Sequence, residues 1–192
     1  MAAPTINTYL SDMLALEQHQ LQPLQSQASD GELSKFPAAK ACVDSAVPIV
    51  QSHINALEAR LEALGGHAGV GAKTGIAAAA GAVAAAVNHV RKTEFSKDLR
   101  DDYTSFALAS ASYTMLHATA LGMNDSETAA LALRHLVDVA SMVVDFADAL
   151  PSVVLDELRM EGATVDPSVA ATAKRNLDEA WKSAERGSGS TI

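Results

Sequence analysis

Apolar residues recur along this chain at steps of three and four, and no segment sustains a two-residue alternation. That spacing predicts α-helix throughout. Over 5–27, Ile6, Leu10, Met13, Leu21 and Leu24 share a face with the acidic Glu17, and Pro23 is placed to kink or shorten the helix. Ser29-Asp30-Gly31 breaks the pattern. A second helix is expected over 33–64 on the stripe Val43, Val47, Val50, Ile54, Leu57, Leu61 and Leu64, with Pro37 and Pro48 as bends and Gly65-Gly66 as its end. A third, Ala-rich helix is expected over 73–94. A fourth, over 96–121, places Leu99, Tyr103, Phe106, Ser110, Tyr113, His117 and Leu121 on one face. After a turn in which Asp125 or Ser126 suits an N-cap, a fifth helix over 127–150 carries Leu136, Val139, Val143, Phe146 and Leu150. Its Asp138, Asp145 and Asp148 face elsewhere. Pro151 interrupts it, and the pattern resumes through Leu158. Asp166-Pro167 starts a sixth helix that runs to 186, with Val169, Ala173, Leu177, Ala180 and Trp181 on one side. Gly187-Ser188-Gly189-Ser190 reads as a flexible tail.

Four long amphipathic helices joined by short turns predict an all-α bundle. The expected organisation is a bundle over 1–160, a C-terminal docking helix over 161–186 and a tail over 187–192. Composition agrees. Hydrophobic residues make up 48% of the 192 positions but aromatics only 4%, so Ala, Leu and Val must build the core. Ala and Leu favour helix. The net charge of −9, with no basic run longer than a pair such as Arg91-Lys92, argues against a nucleic-acid partner. The single cysteine, Cys42, excludes an intramolecular disulfide and a thiolate cluster, which suits a cytoplasmic location. The N-terminal segment lacks the basic-then-apolar pattern of a signal peptide. The uncharged stretch 74–90 is too short and too weakly hydrophobic to span a membrane.

No catalytic constellation stands out. Gly66-His67-Ala68-Gly69-Val70-Gly71-Ala72-Lys73-Thr74 imitates a phosphate loop, but Ala72 separates the last glycine from the lysine and a helix precedes it instead of a strand. Serines such as Ser110 lie mid-helix, and no nucleophile elbow is present. Cys42 has no motif around it. The polar residues on apolar stripes are the candidates that remain: Glu17, His53 beside the second stripe, Tyr113 and His117. A buried Glu17 needs a partner. The functional reading is a metal or ligand site formed by Glu17, His53 and His117 with Tyr113 nearby. The plainer reading is a hydrogen-bonded polar cluster, favoured because no Glu-x-x-His pair occurs anywhere in the chain.

Tyr9-Leu10-Ser11-Asp12-Met13-Leu14-Ala15-Leu16-Glu17, the helix end Arg60-Leu61-Glu62-Ala63-Leu64-Gly65-Gly66, the Leu121-Gly122 turn and Leu150-Pro151 together resemble the YciF/YciE-like group of ferritin-like bacterial stress proteins, over roughly residues 5 to 158. The resemblance implies a ferritin-like four-helix bundle with the Ala-rich and C-terminal helices added. It also implies inward carboxylates and histidines on four helices. Glu17 matches that expectation, and the later positions hold Thr104, Ser105, Val139 and Ala140 instead. The expected function is therefore a non-catalytic bundle with a binding or assembly role in the stress response and no cofactor. The alternatives are an iron-handling or other divalent-metal protein with an atypical ligand set, and a helical module for a protein partner. Because 75–87 offers no strongly polar face to solvent, it is expected to be covered, either in cis by the C-terminal helix with Leu177 and Trp181 or in trans by a second copy, and the narrow apolar stripe of that helix favours the homo-oligomer.

Overall fold

The computed structural model describes residues 3–66 and 95–188. These form α1 (Ala3–Ser29), a 3₁₀ turn (Gly31–Lys35), α2 (Pro37–Ala63), α3 (Phe95–Gly122), α4 (Ser126–Met160) and α5 (Val169–Ser188), with no β-strand among the described residues. The Ala-rich segment 73–94, the glycine-rich loop beyond Gly66 and the last four residues lie outside them. Helix α1 packs on α2 and α3, and α4 packs on α3 and α2. The four close into a ring around one core, and α5 lies against α4. Among the described residues no helix is long and apolar enough to cross a membrane.

The core is aliphatic, as the composition requires, with Leu10, Val43, Leu57, Leu61, Leu99 and Leu116 fully shielded from solvent. The chain's four phenylalanines all serve it as pairs. Phe106 of α3 meets Phe146 of α4 edge-on at 5.2 Å, and Phe36 meets Phe95 at 4.8 Å where α2 and α3 begin.

Several boundaries differ from the periodic pattern for local reasons. Helix α1 continues through Pro23 to Ser29 because buried Leu21 and Leu24 hold it against α2 and α3. The segment expected to open the second helix at 33 is a 3₁₀ turn. The Asp30 carboxylate accepts from the Glu32 amide at 2.8 Å, and Leu33 points into the core. Pro37 then takes the first position of α2, where a missing N–H costs nothing. Helix α4 runs unbroken past Pro151 to Met160, anchored by buried Val153. Helix α5 begins at Val169 and continues through the first two residues of the expected tail.

The inward stripes share Leu99, Phe106, Tyr113, Val139 and Phe146 with the expected ones and differ at the positions between them. In α3 the buried residues are Leu99, Asp102, Phe106, Ala109, Tyr113, Leu116 and Ala120, so Ser110 and His117 are half-buried and Leu121 is exposed. Small side chains at Ala109 and Ala120 let α3 approach its neighbours closely, whereas pattern reading favours the bulkier positions beside them. In α4 the buried line is Leu131, His135, Val139, Met142 and Phe146, flanked by partly buried Leu136, Val143 and Leu150.

One ion-pair cluster locks the end of α2 to the start of α4. Asp125 caps α4 by accepting from the Thr128 amide at 3.0 Å. Arg60 donates to Asp125 (2.6 Å), to the Thr128 hydroxyl (2.8 Å) and to Glu127. Arg60 and Asp125 are mostly shielded, so the pair is worth more than a surface bridge. Asp125→Ala removes the cap and takes one of three partners from the guanidinium. An expected cost of about 2 kcal/mol follows, read from urea unfolding. A loss below a few tenths of that would show that the cluster contributes little.

Candidate functional site

Each of the four ring helices sends polar side chains to one level of the core. Helix α1 supplies Glu17, fully buried, and α2 supplies His53, also buried. Helix α3 supplies Tyr113, while α4 supplies His135 and, one turn on, Asp138 at the solvent edge. Val50, one turn before His53 on the same buried face of α2, is apolar and takes no part in this level.

The hydrogen bonds fix the proton positions. The Tyr113 hydroxyl donates to Glu17 Oε1 at 2.6 Å. Its only proton being committed, its oxygen accepts from His135 Nδ1 at 3.0 Å, which makes the Nδ1–H tautomer the one present. His53 Nδ1 lies 3.0 Å from Glu17 Oε1 and Nε2 lies 3.2 Å from Asp138 Oδ2. Facing acceptors on both sides, both ring nitrogens must donate, so His53 is an imidazolium between two carboxylates. Burial opposes that charge. The hydrogen bond and field of Glu17, followed by those of Asp138, overcome it and raise the His53 pKa. The two imidazoles stack at 3.9 Å with 14° between their planes. Burial, then the His53 charge, then Arg134 hold His135 down at about 3, so it stays neutral. Burial and the Glu17 charge raise the Tyr113 phenol far above its usual range. Among the described residues, Glu17 Oε2 has no hydrogen-bond partner.

The structure brings together three of the four residues singled out in the sequence. His117 is not among them. It is half-buried, and its Nδ1 lies 2.8 Å from the Ala129 carbonyl, which ties it to the α3–α4 packing. Of the later positions that the resemblance implies, Thr104 and Ala140 are exposed, Ser105 lies nearer the 3₁₀ end, and Val139 is buried on the inward line of α4 but is apolar, while Tyr113, His135 and Asp138 share the Glu17 level. Asp138, expected to face away, turns to His53.

These donors do not suit a metal ion. Both nitrogens of His53 and Nδ1 of His135 point at partners within the network, and stacked rings cannot aim their lone pairs at one point between them. Among the described residues no three His, Cys, Asp or Glu side chains form a group that could hold an ion. Nor is there an activated nucleophile in the site. Away from it, Cys42 is a thiol pushed up to about 11, by burial first and then by Asp145, Asp148 and Asp102.

A second buried polar level lies between α1 and α3. Gln20 donates to the Ser105 carbonyl at 2.8 Å. Asp102 is raised to about 7 by burial, which a hydrogen bond from Gln27 partly offsets and the nearby Asp98 and Asp101 reinforce.

No protein-family model and no curated protein matches the chain. Among solved structures, it is similar to a protein from Xanthomonas campestris pv. campestris, with a TM-score of 0.67 at 18% identity over 84% of this chain and 99% of that one. At that identity the likeness speaks for the shared all-helical fold alone.

Proposed function

We propose that this chain is a non-catalytic, ferritin-like four-helix bundle protein of bacterial type, cytoplasmic and homo-oligomeric, with a binding or assembly role in the stress response. One observation carries the reading. The polar level of the core draws side chains from all four ring helices around Glu17, as a ferritin-like di-metal centre does, but with neither its residue types nor its carboxylate-x-x-His order. Such a centre takes one carboxylate from each of two helices and a carboxylate-x-x-His pair from each of the other two. Here α1 keeps Glu17, α3 offers Tyr113, α2 has Val50 where a carboxylate would precede His53, and α4 carries His135 and Asp138 in the reverse order. Of four carboxylates, Glu17 and Asp138 remain. The positive charge that metal ions would bring is supplied by the proton on His53.

The test is iron loading. Purified protein, incubated aerobically with a ferrous salt and desalted, is expected to retain far less than one iron per chain by elemental analysis. Two irons per chain, lost on Glu17→Ala, would overturn the reading and support an iron-handling protein with an atypical ligand set.

A further inference from the structure

Helices α3 and α4 each carry a second apolar stripe, on the side facing away from the core. On α3 it is Leu108, Ala111, Met115 and Ala118; on α4 it is Leu133, Val137, Ala140 and Val144. All eight residues are exposed, the larger ones between 46% and 58%. On both helices the steps are three or four in strict alternation, the spacing of a coiled-coil seam. A helix that needed only to shield the core would carry polar residues there. Instead, the chain has no Lys, Arg, Asp or Glu from Tyr103 to Asn124. We propose that this outer face of the α3–α4 hairpin is the self-association surface of the protein, occupied by the same face of a second copy around a two-fold axis. The proposal rests on the assembly role argued above and names the surface that performs it.

Charge selects the occupant. Two chains of net charge −9 repel unless they meet where neither carries charge. The outward side of α2 does not meet that condition, since it presents Lys40 and Asp44 there. The rim of the α4 stripe is also self-complementary. With antiparallel α4 helices crossing between Val139 and Ala140, exposed Arg134 comes level with Asp145 of the second copy, and the reverse. The alternating small and large residues let the helices approach closely, with Met115 and Val137 seated beside Ala111 and Ala140 of the other chain. Size is adequate. The two stripes, ~17 Å long and together ~20 Å wide, give roughly 350 Å² per copy, and the flanking uncharged surface of α3 over 103–122 extends the face to ~30 Å, which brings it to about 1,200 Å² in total, the lower bound for a specific interface.

Light scattering of the full chain over a dilution series crossing ~1 µM is expected to show a dimer that dissociates on dilution. Met115→Lys and Val137→Lys are each expected to give monomers with unchanged helical circular dichroism. Lysine lowers the net charge, so such a loss cannot come from general repulsion. Arg134→Glu is expected to weaken the dimer on the order of tenfold, and Asp145→Arg in the same chain to restore it. A dimer that survives both lysine variants would overturn this face while leaving assembly intact. A chain monomeric at every concentration would overturn both.

Discussion

Replacing Glu17 with alanine is expected to destabilise the protein by about 3–5 kcal/mol at pH 6. Two costs combine. The variant leaves the His53 imidazolium in the core with only Asp138, half exposed, to balance it, and it strands the Tyr113 hydroxyl. Breaking one side of a buried pair costs more than the pair contributes, because the surviving charge stays desolvated. A loss of this size is a large part of a typical 5–15 kcal/mol stability, so milder variants accompany it. Glu17→Gln keeps the shape and one acceptor and is expected to lower the His53 pKa. Tyr113→Phe is expected to cost about 1–3 kcal/mol, since it leaves His135 Nδ1 and Glu17 each short of a bond. Combined, the two should be non-additive, as residues of one network are. Replacing both members, Glu17→Leu with His53→Leu, should recover stability relative to Glu17→Ala, because no charge then remains buried. Urea unfolding reads all of these. A Glu17→Ala cost under ~1 kcal/mol would mean that the network is not what holds the four helices at one level.

Glu17 was conspicuous in the sequence because a carboxylate on an apolar stripe must find a partner, and His53 and Tyr113 were visible beside or on neighbouring stripes. His135 and Asp138 were not, although they stand one turn apart on one helix. The α4 stripe was read through Leu136, Val143 and Leu150, which turns His135 aside and Asp138 away. His117 was placed inward by the same kind of error. In α3 the core side is marked by Ala109 and Ala120, and alanine carries little hydrophobic contrast, so bulkier neighbours captured the pattern. Periodicity fixes which face of a helix is inward, but the level at which residues 17, 53, 113 and 135 meet depends on how the helices slide past one another. That sliding is decided by tertiary packing: the paired phenylalanines, the Arg60–Asp125 cluster, and the close α3–α4 contact. Among the described residues, helix content and order, in contrast, followed from local spacing, and Pro23, Pro37, Pro48 and Pro151 needed the structure to say whether they break, start or merely punctuate a helix.

The pH dependence of stability should be nearly flat from about pH 4 to 6.5 and should fall above neutrality, and one substitution should expose why. His135, held at about 3, refuses a proton that the unfolded chain takes near its ordinary ~6.5. Its contribution is complete above pH ~6.5 and is lost as pH falls toward 3. Asp102 acts in the opposite sense. Raised to about 7 from an ordinary ~3.9, it keeps a proton that the unfolded chain releases. Its contribution is complete below pH ~4 and is lost as pH rises through 7. Each shift corresponds to roughly 4 kcal/mol, so between pH 4 and 6.5 the two slopes cancel. Asp98, also raised by burial first and then by Asp101 and Glu157, adds to the Asp102 side. Above ~6.5 only losses remain: the last part of the Asp102 transition, and His53, whose stabilising proton leaves as pH passes its raised pKa. Asp102→Asn keeps an acceptor for Gln27 and removes the titration. The variant is expected to gain on the order of 3 kcal/mol at pH 8, where the native protein carries a buried charge at 102. It is also expected to lose stability as pH drops from 6.5 to 4, because His135 is no longer offset. Urea midpoints across that range, with the denaturant slope unchanged, measure both effects. A variant profile that merely runs parallel to the wild-type curve would show that Asp102 does not hold the proton assigned to it.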